Sequence, residues 1–200
     1  ISDLAGFNYA SYVTVTSPDN SSTASRFYQI FQPIEGLNCT DLAWGTSSAK
    51  AVTLSFWVYS SLTGNFGITI NNNNNYYYPI LYNIPTANTW TYINITIPGD
   101  TTGTWIGATN ACGMRVMFSL GAGSSASGTA GTWAGTFYGA PTGATSVVGT
   151  NGATFYITGV QLEVGSSATS FDYRPYGTEL VLCQRYCFLL TSVGGSGSYI

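Results

Sequence analysis

An antiparallel β-sandwich of the jelly-roll class is the fold this sequence predicts, on three observations. Apolar and polar residues alternate with a period of two along at least seven segments, and helical periodicity is almost absent. β-Branched and aromatic residues fill those segments, as a pleated, half-buried surface favours. Clusters of Gly, Pro, Asn, Asp and Ser separate them, among them "SPDNSS", "SLTGN", "PGDTTG" and "GTNG".

The segments run in order along the chain. "YVTVT" at 12–16 alternates cleanly, and "RFYQIFQPI" at 26–34 follows it. "AVTLSFWVYS" at 51–60 is the clearest strand: Val52, Leu54, Phe56 and Val58 share one face, and Thr53, Ser55, Trp57 and Tyr59 share the other. The first face is expected in the core and the second toward solvent. "FGITI" at 66–70 aligns Phe66, Ile68 and Ile70; "TWTYINITI" at 89–97 aligns Ile93, Ile95 and Ile97; "MRVMFSL" at 114–120 aligns Val116, Phe118 and Leu120. "ATFYITGVQLE" at 153–163 is a further long strand. The sandwich is expected to occupy residues 1–176, with a C-terminal extension or interface segment over 177–200.

Two stretches stand apart. "NNNNNYYYPILY" at 71–82 sets five asparagines against three tyrosines. Asn tolerates left-handed backbone conformations and bonds its own backbone, so 71–75 reads as a hairpin tip. Pro79 cannot donate to a ladder and places the returning strand at an edge or bulge. Residues 121–153 are rich in Gly, Ala, Ser and Thr, with Trp133, Phe137 and Tyr138 embedded. They read as a long ordered loop pinned by those aromatics.

Composition narrows the chemistry. Apolar residues make up 44% of the 200 and aromatics 15%, too many for disorder, while only 6% are charged. The net charge is −3, and the basic residues Arg26, Lys50, Arg115, Arg174 and Arg185 are scattered, which excludes a nucleic-acid stripe. The apolar runs are too short for membrane insertion. The chain opens with Ile1 and is read as processed or partial. There is no histidine, so Ser-His and Cys-His nucleophile systems are absent and a zinc site lacks ligands. Cys39, Cys112, Cys183 and Cys187 allow three pairings and read as free thiols. N-x-S/T acceptors stand at Asn20, Asn38 and Asn94.

Three segments carry a family resemblance. "IEGLNCTDLAWGTSSAKAVTLSFWVYSSLTGNFG" at 34–67, "ANTWTYINITIPGDTTGTW" at 87–105 and "ATFYITGVQLEVGSSATSFDYRPYGTELVLCQRYC" at 153–187 resemble phage tail-fibre and virion structural proteins, most specifically in the "GVQLE…RPYGTEL…CQRY" arrangement. The resemblance covers residues 10–187. It implies a jelly roll similar to carbohydrate-binding modules and galactose-binding domains, a place on the virion surface in a tail or head fibre, host attachment and trimeric assembly. It leaves room for a structural calcium at a loop and implies no other cofactor. The Asn run departs from the family, so contacts there do not carry over, and the ending "TSVGGSGSYI" suggests a short version or fragment.

On this reading the chain is not an enzyme but a virion surface protein that binds host glycan. Its partners are other virion proteins. The alternatives are a decoration protein with no ligand and a polysaccharide-cleaving depolymerase, for which Asp3, Asp19, Glu35, Asp41, Asp100, Glu163, Asp172 and Glu179 are the available carboxylates. Glu163 is expected to pair with Arg174. Glycan sites place aromatic faces beside amides and hydroxyls. Tyr76, Tyr77 and Tyr78 beside the Asn run, and Trp133, Phe137 and Tyr138 in the long loop, are the candidate binding residues; Trp57 and Tyr59 on their strand's second face are also aromatic. Leu180, Leu182, Tyr186, Phe188 and Leu190 crowd the C-terminal segment and are expected at a homotrimer interface, with Arg185 against Glu179.

Overall fold

The structure, a computed structural model, describes residues 3–19 and 24–187. The chain forms two compact units, Ile1–Thr169 and Ser170–Ile200.

The first unit is a jelly-roll sandwich. Its strands of four residues or more are β1 (Ser11–Thr14), β2 (Phe27–Glu35), β3 (Val52–Ser60), β4 (Gly64–Asn71), β5 (Tyr77–Ile84), β6 (Thr91–Ile97), β7 (Cys112–Ala122) and β8 (Thr154–Val164). They form two antiparallel sheets ordered β1-β8-β3-β6 and β2-β7-β4-β5. The pairing is nested: β4 with β5, β3 with β6, β2 with β7, β1 with β8. A long hairpin rolled onto itself gives this pattern, with β4 and β5 at its closed end.

The alternation read from sequence decides which residues fill the space between the sheets. Val52, Leu54, Phe56 and Val58 of β3 point inward, opposite Ile97, Ile95 and Ile93 of β6 and alongside Phe155 and Ile157 of β8. From the other sheet come Phe66, Ile68 and Ile70, with Val116, Phe118 and Leu120. Phe56 meets Tyr82 and Phe118 edge-on, at centroid distances of 5.3 and 5.2 Å, so aromatic rings stitch the two sheets together. Each such fully buried large side chain contributes about 1.5–3 kcal/mol.

The second face of β3 departs from expectation. Thr53 and Ser55 are buried, not solvated. At Thr53 the chain beyond β8 turns back over the face: Thr53 Oγ1 donates to the Gly165 carbonyl (2.8 Å), the Gly165 amide to Ala51 O (2.8 Å), and Thr96 Oγ1 to Ser166 O (3.1 Å). Trp57 and Tyr59, farther along the same face, stay partly exposed.

β5 is an edge strand, as Pro79 requires, with Pro79 opposite Thr69. Its free edge is occupied by the long loop: the Gly131 amide donates to Pro79 O (2.8 Å), and Tyr77 and Ala134 exchange backbone bonds of 2.9 Å. The loop then crosses the outer face of this sheet. Phe137 sits between Phe27 of β2 and Tyr77 of β5 (4.7 and 5.4 Å), which belong to opposite edge strands. Ser127–Gly128 and Ala140–Pro141 pair in parallel within it. Pro141 lies so close to Gly67 that a Cβ there would be 2.5 Å from the proline ring. The loop is therefore a fitted cover over β4 and β5.

In the second unit, residues 176–184 of the expected extension form an α-helix (Tyr176–Gln184). Pro175 opens it: its carbonyl accepts from the Thr178 and Glu179 amides (2.9 and 3.2 Å). Apolar residues on every side of the helix leave no 3.6-residue stripe to read. Glu179 pairs with Arg174 (3.0 Å), not with Arg185, whose guanidinium lies over the Tyr186 ring at 5.6 Å. The carboxylate expected for Arg174 is likewise different: Arg174 holds Glu179 and Asp172, while Glu163 accepts from the Thr169 amide (3.1 Å) and hydroxyl. Leu180, Leu182 and Tyr186 are exposed; Phe188 and Leu190 lie outside the described residues.

Candidate functional site

The Asn run folds around one of its members. Asn71 completes β4, so the tip is Asn72–Tyr76, one residue later than the run suggests. Asn72 is buried, and its side-chain oxygen accepts from the Asn74 and Tyr76 amides (2.8 and 3.0 Å) while its Nδ2 donates to Thr104 O (2.8 Å). Asn73 and Asn75 adopt left-handed conformations, φ 58° and 57°, which Asn accepts more readily than other non-glycine residues. Asn73, Asn74 and Asn75 point to solvent.

The aromatic candidates do come together here, but mostly as packing. Tyr77 and Tyr78 are only 6% and 8% exposed. Tyr78 leans on Trp133 (4.9 Å), and Trp133 in turn meets Trp44 (5.4 Å) and Trp105 (5.7 Å), two tryptophans that sequence reading passed over. Trp105 Nε1 donates to Asp100 Oδ2 (2.6 Å). That buried carboxylate also accepts from the Gly103 amide and from the Thr102 amide and hydroxyl, so it serves as the hub of the 100–105 turn. Burial raises the Tyr78 phenol pKa; burial does the same to Tyr77, with the Arg115 charge opposing it. Phe137 packs on Tyr77 and Phe27, and Tyr138 covers Gly128. Of the six sequence candidates, Tyr76 alone lies in the tip, half-buried beside the exposed asparagines.

An open aromatic face lies elsewhere, on the outer side of the β1-β8-β3-β6 sheet. Cross-strand register aligns Tyr12 of β1 with Tyr156 of β8, and Tyr156 with Tyr59 of β3. Continuing the β3–β6 register brings Trp90 opposite Tyr59. The rings are in contact along the whole row: Tyr12–Tyr156 stacked at 5.4 Å, Tyr156–Tyr59 edge-on at 5.3 Å, Tyr59–Trp90 tilted at 5.5 Å. A second row pairs Trp57 with Tyr92 at 5.2 Å. Tyr12 is 66% exposed and Tyr92 44%. The hydroxyls of Tyr12, Tyr59, Tyr92 and Tyr156 bond to no described residue. The four strands of this sheet carry one charged side chain, Glu163, and it belongs to the end covered by residues 165–169.

Comparison with solved structures finds similar folds, among them these two. One, described as "CBM4 structure and function", is 15% identical, covers 78% of this chain and 84% of that chain, and superposes with a TM-score of 0.41. The other is the N-terminal cellulose-binding domain of Cellulomonas fimi β-1,4-glucanase C, at 12% identity, 80% coverage of each chain and a TM-score of 0.40. No protein-family model matches the chain, and no curated protein matches it.

The open face has the attributes of a polyol-binding surface: ring area to desolvate C–H groups, hydroxyls free to donate and accept, and almost no charge. Trp57 and Tyr59 were visible from alternation. Tyr12, Trp90, Tyr92 and Tyr156 are equally aromatic in the sequence, but only strand register shows that they adjoin. Among the described residues no three Asp, Glu, Cys or His side chains gather as a cation site.

Proposed function

We propose that this chain is a non-catalytic glycan-binding module of a virion surface, and that it holds its ligand on the outer face of the β1-β8-β3-β6 sheet. The observation that carries the reading is the aromatic row Tyr12–Tyr156–Tyr59–Trp90 with its neighbours Trp57 and Tyr92. Neighbouring strands are about 4.8 Å apart, so the row spans roughly 15 Å across the sheet. That length suits two or three sugar units lying across the strands. The virion location is supported by the sequence resemblance at 153–187.

The test is a glycan array followed by calorimetry on the best hit, with the wild-type protein and the Trp57→Ala/Tyr92→Ala double variant. Both side chains are partly exposed, so the variant is expected to fold. Stacking of a ring on a ligand is worth about 1–3 kcal/mol, so the double variant should bind at least roughly tenfold more weakly. A blank array, or unchanged affinity in the variant, would refute the assignment; a blank array together with tight binding to a purified virion protein would favour a decoration role.

A further inference from the structure

The opposite sheet carries a second constellation, in which polar atoms of buried side chains lie beside a partly exposed cation. On β4 and β7 the core-facing residues are Ile70 and Val116, which oppose each other, so their neighbours Asn71 and Arg115, also directly opposed, lie on the outer face. Tyr77 of β5 stands across from Asn71, and Pro33 of β2 across from Arg115. These form one row over the whole sheet, at the end where the Asn tip emerges. Arg115 is the only charged residue of β4, β5 and β7. It is partly exposed, and no described carboxylate lies within ion-pair distance of it.

Beside it Asn71 is 1% exposed, and neither its Nδ2 nor its Oδ1 meets a hydrogen-bond partner. The buried Thr69 hydroxyl, two residues back on the same face, is also unpartnered. Leaving such groups unbonded costs stability, and buried polar groups in native proteins are nearly always satisfied by protein, water or a bound group. Tyr77 Oη makes one long contact, 3.5 Å to Asn75 Oδ1, within this same group. A fixed guanidinium, an amide with both functions free and a phenol together match a carboxylate that has a hydroxyl neighbour.

We propose that Arg115, Asn71 and Tyr77 form a subsite for a carboxylate-bearing sugar, with Arg115 meeting the carboxylate and Asn71 and Tyr77 the adjacent hydroxyl. This rests on the glycan-binding reading but uses a different face, so the two fail separately. Arg115, the accessible member, receives the anion, and the exposed Asn73–Asn75 tip borders the entrance.

The experiment titrates the full chain with tetragalacturonate and with its methyl ester, for wild type, Arg115→Gln, Arg115→Lys and Asn71→Val. The acid should bind at least roughly tenfold more tightly than the ester, and less tightly as salt is raised. Arg115→Gln should remove that preference and Arg115→Lys restore part of it. Asn71→Val should weaken binding yet raise the melting temperature, because it deletes an unbonded buried amide; a merely structural Asn71 would give the opposite stability change. Equal binding of acid and ester, unaltered binding by Arg115→Gln, or a lower melting temperature in Asn71→Val would each overturn the subsite. Absence of any acid preference in the wild type, with Trp57/Tyr92-dependent neutral glycan binding intact, would reject this subsite alone.

Discussion

Tyr76 lies parallel to Trp133, their planes 3° apart and their centroids separated by 5.7 Å, while Tyr76 Oη bonds to Thr102 Oγ1 at 2.8 Å. One ring thus joins three separate loops: the Asn tip, the 100–105 turn and the long cover. Removing Trp133, which also touches Trp44, Trp105 and Tyr78, should destabilise the sandwich by about 3–5 kcal/mol. Tyr76→Phe, which loses only the hydroxyl bond, should cost about 0.5–1.5 kcal/mol. Urea denaturation separates the two. Replacing Tyr76, Tyr77 and Tyr78 together by Ala should unfold the domain, because two of the three rings are buried.

A second expectation concerns β3. Phe56→Asp places a carboxylate in the middle of the core and should abolish folding. Ser55→Asp, on the opposite face, should also be strongly destabilising, by several kcal/mol, because Ser55 is covered as well. Tyr59→Asp, at the open end of that face, should fold. Circular dichroism and melting curves on the three variants distinguish a half-covered face from a wholly solvated one.

The thiols should react in a definite order. All four are unpaired; Cys39 is buried and Cys183 and Cys187 are exposed. Burial, with a smaller contribution from Cys112, raises the Cys39 pKa to about 11. Native protein at pH 8 treated with iodoacetamide should therefore be labelled first at Cys183 and Cys187, and at Cys39 only after unfolding. A raised folded-state pKa favours the native form below the ordinary thiol pKa of 9.0, so this contribution falls away as pH climbs from about 9 to about 11. Cys39→Ala should flatten that alkaline limb, as measured by chemical denaturation against pH.

Assembly is the remaining proposal. The helix Tyr176–Gln184 buries none of its residues; Val181 within it and Tyr186 just beyond it are exposed. We propose that copies of the chain associate through this segment as a homotrimer. Light scattering at micromolar concentration should give three times the chain mass, and deletion of residues 178–200 should give monomer. A monomeric full-length chain rejects it.

Much of the sandwich was legible because alternation is local: Phe56 and Ser55 differ in face by geometry alone. What that alternation cannot show is who returns to cover a face. Thr53 reads as solvated until the chain at Gly165 folds back, and Tyr77 reads as exposed until residues 131–137 come to lie along its edge. The helix went unread because Leu180, Val181 and Leu182 are consecutive and give no stripe. The open aromatic face was half legible: Trp57 and Tyr59 follow from one strand, whereas Tyr12 and Tyr156 are separated by 144 positions and meet only through pairing register.

The nested pairing also has a mechanical side. β1 and β8 are antiparallel neighbours, with Ser11 opposite Ile157 and Thr14 opposite Thr154, so the entrance to β1 and the exit of β8 lie at the same end. Tension applied through the two flanking chains would load these bonds one after another, from Ser11 inward, instead of all in parallel. Such a zipper opens at low force, and β1, only four residues long, would peel away first while β2–β7 stayed closed. Under such a load, that strand is the fuse.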